Sequence, residues 1–234
     1  MNLQVLHEDN HLIAVNKPAG LLSQGDVTGD RTVMDQVKAY IAFRYNKPGA
    51  VFLGSIHRLD RPVSGVILFA RTSKALTRMT EQFRDRKVQK TYWAVVENQP
   101  DPIEGTLKGY IFKDKEKNRS KIVPKANSNR HQGAKLAKLD YRLLGRVGTN
   151  VLLEVEPETG RPHQIRVQLA DQLKTPIRGD LKYGSRNRNE DGQINLHSRK
   201  LSFTHPVTKE PVEIVAPVPR EDQTWGLFSE MTEW

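Results

Sequence analysis

Cysteine is the first residue type that this sequence of 234 residues lacks. Without cysteine there can be no disulfide framework, no thiolate nucleophile and no zinc or iron–sulfur centre held by cysteine. These classes of protein are therefore excluded. Any catalytic side chain must act through oxygen or nitrogen.

Long hydrophobic runs are also missing. The longest wholly apolar run covers residues 66–70, whereas a membrane-spanning helix needs about 20 such residues. The first nine residues show no basic region followed by an apolar stretch, so we expect no secretory signal. We therefore expect a cytoplasmic monomer without a membrane partner, long enough to form its own hydrophobic core.

Acidic residues are outnumbered, and the imbalance is concentrated in one segment. The chain has 37 Lys and Arg against 27 Asp and Glu, a net charge of +10, and residues 105–150 alone hold twelve basic and three acidic side chains. A localised basic surface favours a nucleic-acid partner, because each phosphate that it neutralises releases counterions. A solvated lysine-rich loop is the alternative. The candidate RNA contacts in this segment are Lys113, Lys115, Lys117, Arg119 and Lys121.

The order of apolar patterns predicts an α+β fold. Strands and helices are mixed without a steady strand–helix–strand rhythm, which favours a mixed, mostly antiparallel sheet with flanking helices. No linker rich in proline, glycine or serine divides the chain, so we expect a single domain over residues 1–234 with a C-terminal tail at 217–234. Helices are predicted after Thr32, after Ser73 as a cap, and from about Arg161 and Pro162 onward. Strands are predicted on either side of a turn at 8–11 and near 66–70, 90–96, 107–112, 121–124, 134–144, 150–156, 194–204 and 211–216.

The loop at 57–61, His-Arg-Leu-Asp-Arg, places one carboxylate between two guanidinium groups. Opposite charges within about 4–6 Å lower the pKa of an aspartate by about 1–3 units, so we expect Asp60 to be ionised. An ionised carboxylate suits a nucleophile or a group that stabilises developing positive charge. The alternative is a structural aspartate that caps a turn and pairs with Arg58.

The segment from Glu158 to Arg166 predicts a second functional loop. Backbone N–H groups at the start of a helix attract anions, and Arg161 and Arg166 add positive charge at the same place. This pattern predicts a phosphate or carboxylate site, with ordinary helix capping as the alternative.

Both loops resemble segments of the RluA-type pseudouridine synthases. HRLDRPVSG at 57–65 resembles the family's HRLDxxTSG motif, and KTYWA at 90–94 resembles its KxYxA segment. GRPHQIR at 160–166 resembles the family's GRxHQIR segment. Weaker agreement comes from NKPAG at 16–20, from GDLKYG at 179–184 and from Leu196-His197. The ordered match covers nearly the whole chain and implies the catalytic domain of this family, without an extra N-terminal RNA-binding domain.

The resemblance also implies roles for single residues. Asp60 would be the essential aspartate, Tyr92 the active-site tyrosine beside the target uracil, and Arg166 the basic partner that pairs with Asp60. Arg58 would hold the rearranged RNA, with Arg161 and His163 as further RNA contacts. Two residues depart from the family pattern, Val63 in place of the usual threonine and Arg178 in place of an apolar residue.

The chemistry that the family implies fits this residue inventory. Converting uridine to pseudouridine in tRNA or rRNA breaks the N1–C1′ bond and rejoins the base through C5, so it needs no metal and no cofactor. Asp60 would either attack C1′ or promote loss of the C2′ proton, with Tyr92 as the acceptor of that proton. The residues alone leave both routes open.

Two other functions compete with an isomerase. A metal-dependent hydrolase would use His57, Asp60, His163 and His197, but these show no strong metal-binding spacing. A non-catalytic basic RNA-binding or ribosome-assembly protein would use the same positive surface, although an acid in an RNA groove weakens binding.

Overall fold

The computed structural model describes residues 3–25, 29–124, 131–189, 192–219 and 221–229. Within them the chain forms two compact units: residues 1–89 with 198–218, and residues 90–197 with 219–234. The strands are β1 Gln4–Glu8, β2 Leu12–Lys17, β3 Gly54–Ser55, β4 Ser64–Ala70, β5 Gln89–Val96, β6 Glu104–Asp114, β7 Arg119–Val123, β8 Lys135–Val147, β9 Asn150–Pro157, β10 Leu196–Thr204 and β11 Pro211–Val215. The helices are α1 Val33–Arg44, α2 Ser73–Arg84, α3 Gln164–Gln172 and α4 Gln223–Gly226, with a short 3-10 helix at Leu181–Tyr183.

In the first unit the strands lie in the order β1-β2-β4-β10-β11, and β3 also pairs with β4. The β1–β2, β2–β4 and β10–β11 pairs are antiparallel, with Leu12 opposite Ala70 in the central pair. All seven residues of β4 are buried. The apolar run at 66–70 therefore forms a strand covered on both faces, as its lack of polar alternation predicts.

The two long helices of the first unit begin at side-chain caps. Thr32 caps α1, as predicted, and it also forms a capping box with Asp35. Val33, Val37 and Ile41 form the buried stripe of the helix. The cap of α2 is Thr72, whose hydroxyl accepts the backbone N–H of Ala75, so the prediction of Ser73 is wrong by one residue. Threonine and serine are both preferred helix caps, and the sequence offers them in succession.

The second unit contains the strand order β5-β9-β8-β6-β7. Each neighbouring pair is antiparallel, and strands form where the turn pattern between 105 and 157 predicts them. That pattern predicts a meander, in which each strand pairs with the next, and this is wrong at one step, because β8 pairs with β6 while β7 lies on the other side of β6. The hairpin of β6 and β7 carries the predicted lysine cluster, while the basic residues Lys125 and Arg130 lie outside the described residues. Ile111, Ala137, Val167 and Tyr183 pack together as one apolar cluster between these strands and α3.

The helix α3 begins later than the sequence predicts. Its cap is His163, which adopts a left-handed conformation with φ of 54°, and Pro162 precedes the helix instead of occupying its first turn. A left-handed residue reverses the chain sharply, so the segment before it is a loop and not a helical turn. Ile165 and Leu169 are buried, as their spacing predicts.

Near the C-terminus, α4 is held by the cap Asp222 and buries Trp225, whose ring meets the ring of His197. Phe228 is fully buried as well. The apolar spacing of Trp225, Phe228, Met231 and Trp234 predicts a docking helix in the tail, but Met231 and Trp234 lie outside the described residues. Among the helices of the described residues, none has the length and apolar composition needed to cross a membrane.

Candidate active site

The loop that carries Asp60 is anchored on both sides of the aspartate. On one side the hydroxyl of Ser23 donates to the carbonyl of Leu59 at 2.7 Å and accepts the Leu59 N–H at 3.0 Å. On the other side the carbonyl of Arg61 accepts the backbone N–H of Gly20 at 2.8 Å. Because the backbone before and after Asp60 is bonded to the same segment of chain, the position of this half-buried carboxylate is well defined.

Lys17 lies beneath this loop and is fully buried. Its ammonium group donates to the carbonyls of Pro18, Leu21 and Arg61 at 2.9, 2.7 and 3.2 Å. Burial lowers the pKa of Lys17 to about 7, and the negative charge of Asp60 opposes that shift. Lys17 thus holds the Asp60 loop through hydrogen bonds and also interacts electrostatically with the Asp60 carboxylate.

Two further contacts hold the start and the end of the loop. The Nε2 of His57 accepts the backbone N–H of Leu68 at 3.0 Å, and the His57 ring stacks on Phe83 at 4.9 Å between centroids. Gly65 has φ of +112°, and a Cβ there would lie 2.3 Å from the carbonyl oxygen of Ser198. Only glycine allows this approach, which explains its place after the loop.

The two arginines beside Asp60 differ in their surroundings. The side chain of Arg61 donates to Asp30 at 2.8 Å and to the carbonyl of Gly20 at 2.9 Å. Arg58 is exposed, as a residue that contacts RNA must be. Val63, which replaces the family's threonine, is buried in the loop.

Tyr92 and Arg166, the two other predicted catalytic residues, both belong to the second unit. Tyr92 lies on β5 opposite Val155 of β9 and is half-buried. The guanidinium of Arg166 is buried and donates to Asp180 through two bonds, Nε to Oδ2 at 2.6 Å and Nη2 to Oδ1 at 2.8 Å. Asp60 belongs to the first unit, and its predicted pairing with Arg166 stays a prediction.

The structure brings several predicted RNA contacts together around the β6–β7 hairpin. The ammonium group of Lys113 lies 3.3 Å from Nε2 of His163, and the hydroxyl of Ser120 on β7 donates to the carbonyl of Pro162 at 2.7 Å. The loop before α3 therefore lies against the hairpin. The exposed basic side chains of the hairpin include Lys115, Lys117, Arg119 and Lys121.

The predicted anion site at the start of α3 is partly engaged by protein groups. The backbone N–H of Arg161 donates to the side-chain oxygen of Gln164 at 3.0 Å, and the Arg161 guanidinium donates to the carbonyl of Leu136 at 2.9 Å. The hydroxyl of Thr159 also donates to Gln164 at 2.7 Å. These contacts fix the conformation of the loop. Arg161 is half-buried, so part of its side chain is accessible to solvent.

Sequence reasoning missed three residues that the structure links to the predicted site: Lys17, Asp180 and Tyr183. All three stand in segments that resemble family motifs, but no role was assigned to them. A lysine at the end of an apolar strand and directly before a proline was the available signal for Lys17. Nothing in the spacing predicts that Asp180 and Tyr183 contact Arg166, because fourteen or more residues separate them in the chain.

A metal site is not found in the described residues. No group of three or more His, Asp or Glu side chains there has the arrangement needed to hold a metal ion. The four ligands considered for a hydrolase therefore form no such cluster in the part of the chain that the structure covers.

Comparison with known proteins identifies the family. The family model described as RNA pseudouridylate synthase matches residues 11–171. An uncharacterized RNA pseudouridine synthase of Synechocystis sp. is 36% identical over 222 residues, which cover 93% of this chain and 66% of that protein. The tRNA pseudouridine synthase C of Haemophilus influenzae is 35% identical over 248 residues, 99% of this chain and 98% of that protein. Among solved structures, human RNA pseudouridylate synthase domain containing 4 has a TM-score of 0.80 at 26% identity, covering 97% of this chain and 92% of that chain.

The chain belongs to the RNA pseudouridylate synthase family, because the family model matches more than half of it and the Haemophilus relative matches nearly all of it. This confirms the resemblance to the RluA-type enzymes and the prediction of an isomerase. The predicted α+β fold with mostly antiparallel strands is confirmed as well. Relatives differ in length, since the chain spans slightly less than two thirds of the Synechocystis protein.

Proposed function

We propose that this protein converts a specific uridine of a structured RNA, a tRNA in the first instance, to pseudouridine, with Asp60 as the catalytic carboxylate. The observation that carries the proposal is the anchoring of the Asp60 loop, in which Ser23 holds the residue before the aspartate and Lys17 and Gly20 hold the residue after it. A reactive group must keep its position against the substrate, and loops fixed to a rigid sheet supply such groups.

The reaction places clear demands on these side chains. The N1–C1′ bond breaks, the uracil turns, C5 bonds to C1′, and the proton lost from C5 is balanced by one gained at N1. The Asp60 carboxylate acts on the ribose, either by attack on C1′ or by promoting loss of the C2′ proton to Tyr92. A deuterium at C2′ distinguishes these routes, since only the second breaks the C2′–H bond and slows with the heavier isotope.

Binding must also extract the target base from its stack, at a cost of a few kcal/mol. Contacts to the RNA backbone from the hairpin lysines, Arg161, His163 and the exposed Arg58 offset that cost. Lys115, Lys117 and Lys121 are exposed along one hairpin, which supports an extended phosphate-binding surface. In this proposal the basic side chains of the hairpin bind the RNA backbone, and the proposed catalytic residues Asp60, Tyr92 and Arg166 act on one nucleotide.

A tRNA substrate is favoured over rRNA because the relative matched over 98% of its own length is named a tRNA pseudouridine synthase. We further propose that the enzyme acts as a cytoplasmic monomer. Light scattering of the purified chain measures its oligomeric state.

The test uses unmodified RNA labelled with tritium at C5 of uridine. Pseudouridine formation releases that tritium to water, so the wild-type chain should release it from tRNA transcripts and Asp60→Asn should release none. Asp60→Asn should still bind the same RNA within about twofold of the wild-type Kd, since it removes a negative charge from an RNA surface. A matched control is Asp85→Asn, which alters an exposed aspartate of α2's C-terminal cap and should keep full activity.

The same assay separates the alternatives. Retained tritium release by Asp60→Asn contradicts the assignment of the aspartate. Release from rRNA fragments but not from tRNA contradicts the preferred substrate. RNA binding by the wild type without any release would support the non-catalytic RNA-binding protein.

A further inference from the structure

Tyr183 is a buried tyrosine at the end of the short 3-10 helix, and its neighbours come from three parts of the second unit. Its hydroxyl accepts the backbone N–H of Ser120 on β7 at 2.8 Å and lies 2.8 Å from Nδ1 of His163. Its ring lies 5.2 Å from the guanidinium carbon of Arg119 and 5.1 Å from that of Arg166. One side chain therefore contacts the hairpin, the cap of α3 and a predicted catalytic arginine.

The direction of the hydrogen bonds follows from Lys113. An ammonium group only donates, so the Nε2 of His163, 3.3 Å away, accepts a hydrogen bond from Lys113. The proton of His163 is then on Nδ1, and it is donated to the hydroxyl oxygen of Tyr183. Burial raises the pKa of the Tyr183 phenol, which keeps the hydroxyl neutral. The polar chain thus runs from Lys113 through His163 to Tyr183.

The ring of Tyr183 is the link to Arg166. A guanidinium within about 6 Å of an aromatic ring is attracted to the ring face, more strongly where water is excluded. The other contacts of the Arg166 guanidinium include the two bonds to Asp180, which fix its plane. The ring of Tyr183 and the carboxylate of Asp180 thus both act on the orientation of the Arg166 guanidinium, and a shift of the ring changes one of these two contacts.

At its other end, the hydrogen-bonded series from Tyr183 through His163 to Lys113 lies on the proposed RNA-binding hairpin. Lys113, Arg119 and Ser120 all belong to the β6–β7 hairpin, on which Lys115, Lys117 and Lys121 are exposed. Phosphates bound by the hairpin would attract the side chains of Lys113 and Arg119. Lys113 contacts His163, which bonds to Tyr183, and Arg119 contacts the Tyr183 ring.

We propose that Tyr183 is a positioning residue that couples RNA bound at the β6–β7 hairpin to the placement of the Arg166 guanidinium. The inference rests on the proposed function of Arg166 and of the hairpin. Tyr183 itself touches no reacting atom. Its role is to make the catalytic arginine respond to correctly bound RNA.

The central test compares Tyr183→Phe with the wild type in steady-state and binding measurements on an unmodified tRNA transcript. The phenylalanine keeps the ring but leaves the Ser120 N–H and His163 without their acceptor, so we expect kcat to fall by roughly tenfold. Kd should stay within about twofold, because the exposed phosphate contacts are unchanged. Tyr183→Leu also removes the ring and should lower kcat by roughly a hundredfold.

The matched control is Tyr141→Phe, which deletes the hydroxyl of another buried tyrosine of the same unit, bonded to the carbonyl of Pro102 at 2.9 Å. It should keep kcat within about twofold of the wild type. An equal fall of kcat in Tyr141→Phe would overturn the proposal, and so would unchanged kcat in Tyr183→Phe. A loss confined to Kd would also overturn it, since coupling acts after RNA is bound. If Tyr183→Leu does not fold, the conservative Tyr183→Phe decides alone.

A spectroscopic readout separates this proposal from the proposed function. In arginine-labelled protein the Nε–H resonance of Arg166 should shift when the tRNA transcript binds, and Tyr183→Phe should reduce that shift by at least half. This measurement needs no turnover, so it tests the coupling even if the wild type releases no tritium. An equal shift in both proteins, or no shift in the wild type, contradicts the coupling.

Discussion

Arg166 and Asp180 form a buried, two-bonded ion pair in the second unit, with Nε–Oδ2 at 2.6 Å and Nη2–Oδ1 at 2.8 Å. Both side chains are almost completely excluded from solvent. Removing one partner of such a pair leaves the other charge buried without compensation. The pair therefore has a structural consequence that is separate from the proposed catalytic role of the arginine.

Replacing Asp180 with asparagine should lower the free energy of unfolding by about 3–5 kcal/mol, because the Arg166 charge stays buried. Urea unfolding of the purified variants measures this. The matched control is Asp85→Asn, which breaks the exposed Arg84–Asp85 pair and should change stability by less than about 1 kcal/mol. Equal effects of both changes would contradict the assignment of the Arg166–Asp180 pair as a buried ion pair.

Lys17→Met should alter the pH dependence of stability. Burial lowers the pKa of Lys17 to about 7 in the folded chain from 10.5, so between these values the unfolded chain binds more protons. Wild-type stability therefore rises with pH across this window because of Lys17, by at most about 1.4 kcal/mol per pH unit. The variant lacks this contribution, so the difference in unfolding free energy between wild type and variant should move in favour of the wild type from pH 7 to pH 10. Urea unfolding at several pH values checks it, and a difference independent of pH refutes it.

Gly65→Ala should destabilise the chain and disturb the Asp60 loop. The new Cβ would lie 2.3 Å from the backbone oxygen of Ser198, so overpacking adds about 1–3 kcal/mol to the cost of a positive φ. Gly148→Ala is the control, because its φ is +60° and nothing lies within 4 Å of a new Cβ. That change should cost only about 1–2 kcal/mol. Thermal unfolding compares them, and equal losses would show that the close approach at Gly65 does not matter.

Neutralising the exposed hairpin lysines should weaken RNA binding without lowering turnover at saturating RNA. In the triple variant Lys115→Gln, Lys117→Gln, Lys121→Gln, each lost phosphate contact should reduce the slope of log Kd against log salt by about 1. The matched control carries Lys47→Gln, Lys74→Gln and Lys87→Gln, which remove three exposed charges from the first unit. An equal loss of slope in the control would mean that net charge, and not the hairpin, determines binding. A collapse of turnover in the hairpin variant would contradict separate roles for binding and catalysis.

Local patterns were sufficient to predict most of the secondary structure. The helix cap at Thr32, the wholly apolar strand β4 and the positions of strands β6 to β9 all follow from neighbouring residues, whereas the pairing of β8 with β6 does not. Errors occurred where local sequence offers two solutions of similar energy. Thr72 and Ser73 can both cap a helix, and the left-handed His163 could not be read from its neighbours because tertiary contacts stabilise that conformation.

The sequence alone determined the family and the identity of the proposed catalytic residues, because several short motifs in a fixed order can be recognised without a structure. The charge excess between 105 and 150 was equally visible there. What only the tertiary structure decided is which side chains surround those residues. Lys17 meets three carbonyls of the Asp60 loop, and Arg166 meets Asp180 and Tyr183, through contacts that depend on how distant segments pack. Burial then changes the energy of each charge, and burial is a property of the folded chain rather than of any local pattern.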